Sequence, residues 1–253
     1  MKELNQNLKN IRNFFSLIYY QKSATREEIY NFLQECLKFV FEENNLDIND
    51  YKIIFHFVKF KEKTRNASVV PEDNNDYTFH VKIKKQALTY NEINFDLETA
   101  NEKMGDLLEI VLSAFHEYAH IIQYINNLDD MLKFDYKWLT VEETIDSFEG
   151  SKNKNVKRIS KELTNYLDAQ EFISKVEKDA TTQSHKYYRK MLDLLIIHEQ
   201  DEELADFFAS IYVFVNSLRK DDFKEYRKQN SREKQIVSTL KAYGIDESVY
   251  ALD

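Results

Sequence analysis

Only three glycines and one proline occur in 253 residues, and such a chain has few places to turn sharply. Gly and Pro are the strongest punctuators of regular structure, so their scarcity predicts long helices joined by few tight turns. The chain is 43% apolar and 14% aromatic, which excludes disorder, because disordered segments lack the apolar surface to offset their ordering entropy. A chain of this length buries roughly 70% of the surface its unfolded form exposes, enough for a core without staples.

Apolar positions recur at helical spacing over residues 5–21. Thr25 and Glu28 then form a capping-box pattern that predicts a second helix start, and Cys36 is expected as a core thiol in this helical layer. The texture changes at Tyr51–Phe60 and Tyr77–Ile83, where β-branched and aromatic residues predict strands. A third strand is expected at Ala67–Val70, with Pro71 and the acidic run Glu72–Asp76 as the loop before the last strand. Helical patterns follow at about 97–127, across a mixed stretch at 131–150, over 153–178, 185–218 and 221–242. Gly150 and the residues at 151–155 are expected to form a mobile loop. The fold class is α+β, mostly α-helical, as one domain: helices at 1–46, sheet and central helix at 50–127, and a helical part at 128–253.

The central helix carries His116-Glu117-Tyr118-Ala119-His120. Helix positions i and i+4 share a face, so both imidazoles can reach one ion. Glu117 stands beside them, where a carboxylate takes a proton from water activated by zinc. The surrounding residues are strongly apolar, and two histidines and a glutamate are costly there unless something satisfies them. The plainer alternative is a pair of core histidines bonded to their neighbours.

A catalytic zinc needs a third protein ligand and an open position for water. Glu202 is one candidate, in a Glu202-x-x-Ala205-Asp206 pattern in which Asp206, one turn later, could accept the outer N–H of a ligating histidine. Glu142 or Glu143, with Asp146 following, is the rival, although Thr140 and Glu143 also read as a capping box at a helix start. His198, one turn before Glu202, is a candidate transition-state donor or extra metal ligand. His185, Tyr187, Tyr188 and Arg189 are weaker candidates for that role, and His56 and His80 in the strands read as structural.

The two motifs together resemble the gluzincin metallopeptidases, in particular the ImmA/IrrE-type regulatory peptidases and the soluble core of the CaaX-prenyl-protease and heat-shock membrane protease family. The resemblance rests on residues 116–120 and 202–209, with a strand preceding the motif helix. It implies a zincin-like fold with a small mixed β-sheet packed on the active-site helix. It also implies His116, His120 and Glu202 as zinc ligands, Glu117 as general base, and hydrolysis of peptide bonds.

The expected activity is therefore zinc-dependent cleavage of a protein or peptide, which an open strand edge could bind in extended form. The alternative is a binding or regulatory protein that keeps the fold and zinc without catalysis. A dinuclear iron protein would need two Glu-x-x-His motifs, and only Glu117–His120 has that spacing. A net charge of −9 with dispersed lysines argues against nucleic acid as partner. No apolar run suits a membrane span. A single cysteine and an N-terminal run without an apolar signal core favour a cytoplasmic setting, in which Asn66-Ala67-Ser68 is an unused glycosylation sequon.

Overall fold

The computed structural model describes residues 4–21, 24–59, 67–72, 75–84, 101–148 and 150–252. Two helices open the chain, α1 (Gln6–Gln21) and α2 (Arg26–Glu43). The predicted cap is present: Thr25 Oγ1 accepts the Glu28 N–H at 3.2 Å, and Glu28 Oε2 accepts the Thr25 N–H at 2.6 Å. Together these satisfy two backbone donors that the first helical turn leaves open. Cys36 is fully buried in α2, and burial pushes its thiol well above the usual range.

Three strands follow, β1 (Lys52–Val58), β2 (Ala67–Glu72) and β3 (Asn75–Lys84), in the order β1-β3-β2. β3 pairs parallel with β1 and antiparallel with β2, so the sheet is mixed. Pro71, expected in a loop, lies instead in β2, where the register shifts between Pro71 and Glu72. β2 is an edge strand, the part of a sheet that tolerates a residue without an N–H. Phe60, Asn66, residues 73–74 and the expected helix start at 97–100 lie outside the described residues.

The remaining helices are α3 (Asn101–Asn126), α4 (Leu128–Phe148), α5 (Lys154–Ile173), α6 (Lys175–His198) and α7 (Glu202–Ala242). Their boundaries differ from expectation in three places. The loop before α5 is shorter than expected, because Asn153 caps the helix through its side chain to the Asn155 N–H. α6 runs through the polar stretch 179–185, where the structure buries Ala180, Ser184 and His185. α7 continues across the charged residues near 219–222, which contain no Gly or Pro to end a helix. The break falls at 199–201 instead, where Asp201 Oδ1 accepts the N–H groups of Glu203 and Leu204, an N-cap.

The chain divides into two compact units. The first, Met1–Ile125 with Ala180–Ser217, holds α1, α2, the sheet, nearly all of α3, most of α6 and the start of α7. Successive β3 residues alternate sides: Phe79, Val81 and Ile83 are buried, and they align with Ile53, Phe55 and Phe57 of β1. This face packs on α3, with Phe55 against Tyr118 and Phe79 against Tyr124. The second unit, Asn126–Asp179 with Leu218–Asp253, has its own core of Phe134, Val141, Leu163, Leu167, Leu240 and Tyr250. No helix among the described residues is long and apolar enough to cross a membrane.

Candidate metal centre

α3 is apolar around most of its circumference, with Leu107, Val111, Ala114, Phe115, Tyr118 and Ile121 all buried. Tyr118, inside the motif, points into the core and donates its hydroxyl to the Leu33 carbonyl at 2.8 Å. Burial raises that phenol's pKa well above the ordinary value, so it acts as a structural donor. Phe115 stacks on Tyr188 of α6. These contacts fix the rotation of α3 and leave the His116 and His120 side of the helix toward polar groups.

The Nε2 atoms of His116 and His120 stand 3.0 Å apart. Two imidazoles bound tetrahedrally to one zinc would hold their nitrogens about 3.3 Å apart, so the pair is already near ligand spacing. His120 is 93% buried, and its Nδ1 lies 2.8 Å from Gln123 Oε1. A carbonyl oxygen only accepts, so Nδ1 carries a proton, and the tautomer that this contact selects has its lone pair on Nε2. His116 Nδ1 faces Thr181 Oγ1 of α6 at 3.4 Å, which likewise leaves Nε2 turned toward His120. Two nitrogens so close need a proton or a metal ion between them, since two lone pairs repel.

α6 also supplies the third group. Glu177, one turn before Thr181 on the same unbroken helix, brings a carboxylate oxygen to the two histidines, and the three ligand atoms lie within 4.8 Å of one another. Ser174 caps this helix, its Oγ accepting the Glu177 N–H at 3.3 Å. The Ser174 N–H, the position a capping-box carboxylate would take, donates instead to the Gln170 carbonyl at 3.1 Å. Two imidazoles and a carboxylate are a donor set known for catalytic zinc, with room for one further ligand. Glu117 is half-buried beside His116 on α3.

The other expected site residues are elsewhere. Glu202 and Asp206 are exposed on the first turns of α7, and the Asp206 charge acts on Tyr19 of α1. His198 ends α6. It follows Thr181 by 17 residues, which at 1.5 Å per residue is about 25 Å along the helix. Among the described residues, the converging group thus contains Glu177 and not Glu202, and Gln123 and Thr181, not Asp206, meet the outer histidine nitrogens. Glu142 and Glu143 are exposed on α4, with Glu142 accepting the Trp138 indole N–H. Thr140, expected to start a helix, lies inside α4 and donates back to the Tyr136 carbonyl, the alternative that mid-helix Thr residues commonly use.

Of the weaker candidates, Tyr187 pairs with Asn44, Arg189 with the Tyr212 hydroxyl, and Tyr188 is buried against Phe115. His185 is buried one turn beyond Thr181, on the same side of α6. His56 and His80 pair with each other across the sheet at 2.8 Å, in keeping with a structural role.

Sequence reasoning missed Glu177, although a signal was present. Glu177-x-x-Ala180 has the same spacing as Glu202-x-x-Ala205. The expected helix end at 178 put Glu177 at a boundary. Comparison with protein-family models, with curated proteins and with solved structures gives no match.

Proposed function

We propose that the chain is a zinc-dependent metallopeptidase with a zincin-like arrangement, in which His116, His120 and Glu177 hold the ion and Glu117 is the general base. The observation that carries this reading is the convergence of two imidazole nitrogens and a carboxylate within 4.8 Å, on a helix whose motif adds a further carboxylate next to the first ligand. The packing of a mixed sheet on that helix, through Phe55 and Phe79, supports the fold part of the proposal.

Zinc in such a site polarises a carbonyl and lowers the pKa of bound water to about 7. The chain's own residues do the rest. His116 and His120 present lone pairs from rings whose outer nitrogens are engaged. Glu177 contributes negative charge from the first turn of α6, and Glu117 takes the proton as water attacks a peptide carbonyl and returns it to the leaving amine. The substrate class that follows is a protein or peptide, in a cytoplasmic setting.

The test is metal analysis joined to a cleavage assay with fluorescently labelled casein and a mixed peptide library. Wild-type protein purified without chelators should hold about one zinc per chain and cleave one of these probes. Glu117→Gln should keep the zinc and lose cleavage, because the amide preserves size without basicity. Unchanged turnover in that variant would remove the base, and protein that neither contains nor takes up zinc would sink the proposal.

A further inference from the structure

We infer that Gln123 is a positioning residue for the metal centre: by accepting the His120 Nδ1–H it fixes that ring's tautomer, and as a neutral amide it sets a weaker metal affinity than a carboxylate there would give. The inference rests on the proposed zinc site. Gln123 follows His120 by three residues on α3, so its side chain lies over the same face one turn on, and its Oε1 is 2.8 Å from Nδ1. His120 is buried, so water does not readily take over that contact. With Nδ1 committed as a donor, Nε2, which stands 3.0 Å from His116 Nε2, is left as the ligand atom.

Partners of this kind commonly are carboxylates, which raise the basicity of the histidine and tighten the metal; their loss typically costs about 10–100-fold in affinity. An amide orients the ring equally well but adds no charge. The consequence is an ion held in a formed site yet more readily exchanged, so that occupancy follows zinc supply.

Two variants with opposite expected signs test this. Zinc affinity is measured by competition with a chromogenic chelator. Gln123→Glu should bind zinc about 10-fold or more tighter than wild type, and Gln123→Met, similar in size but without a strong acceptor, about 10-fold or more weaker. Nitrogen-15 NMR of the imidazoles in metal-free protein should show His120 as the Nδ1–H tautomer in wild type and lose that preference in Gln123→Met. A purely structural role would weaken both variants and predicts no gain. Equal affinity in all three proteins, with zinc lost in His120→Ala, overturns the role of Gln123 and leaves the zinc site standing. No zinc binding by wild type overturns both.

Discussion

Arg12 on α1 clasps Glu199 at the turn between α6 and α7, its Nε and Nη2 each 2.8 Å from one carboxylate oxygen. The Glu199 side chain is only 3% exposed, and the same carboxylate accepts the N–H groups of Gln200 and Asp201. Burial alone would push this carboxyl up, but the Arg12 and backbone hydrogen bonds outweigh it and hold it below the ordinary range. A depressed carboxyl stabilises the fold fully above its unfolded pKa, about 4.3, and the contribution is lost as pH falls through the folded value. Removing Arg12 leaves the Glu199 charge uncompensated, but Arg12 is itself a third exposed and water screens part of the effect, so Arg12→Met should cost roughly 1–2 kcal/mol at neutral pH. Urea midpoints should show the gap between variant and wild type shrinking below about pH 4. A gap that does not change with pH would assign it to lost packing of the arginine stem.

Gly244 ends α7 with φ +75°. The Gly244 N–H donates to Lys241 and the Ile245 N–H reaches back to the Leu240 carbonyl at 3.1 Å, the pattern of a Schellman cap. Nothing lies near the position of an added Cβ, so Gly244→Ala isolates backbone strain. It should destabilise by about 1 kcal/mol, read as a lower thermal midpoint, and a neutral result would remove the strain argument.

Local rules made the first half of this fold readable. Thr25 and Glu28 lie within one turn, and their cap forms; the alternation Phe79, Val81, Ile83 marks a buried sheet face because strand period is fixed by the backbone. The motif at 116–120 is equally local, since i and i+4 must share a face. The third group of the cluster is different. Glu177 converges with His116 and His120 on a helix that runs unbroken from Lys175 to His198, across a stretch where the sequence predicts a break between 178 and 185. Within a short window the rival even reads better, because Asp206 follows Glu202-x-x-Ala205 whereas Thr181 follows Glu177-x-x-Ala180.

Thr181 offers a graded test of the α6 side. Its hydroxyl is 3.4 Å from His116 Nδ1, at the long end for a hydrogen bond. Thr181→Val preserves shape and should weaken zinc by less than the roughly 10-fold that marks a strong partner of a ligating histidine. A loss as large as that of His116→Ala would mean the hydroxyl does more than orient the ring.

The choice between the two carboxylates follows from position. Glu177→Gln keeps the helix cap, because the Glu177 N–H still donates to Ser174 Oγ, yet it exchanges an anionic ligand for a weak neutral one. Zinc affinity should fall by at least about 10-fold, with helical circular dichroism unchanged. Glu202→Gln alters an exposed residue on the first turn of α7 and should change zinc affinity little. Asp206→Ala should behave like Glu202→Gln, since Gln123 and Thr181 meet the histidines' outer nitrogens. Measuring all three by chelator competition, beside wild type, separates the alternatives. A large loss in Glu202→Gln and Asp206→Ala with none in Glu177→Gln would return the third ligand to α7 and require α6 and α7 to sit differently around α3.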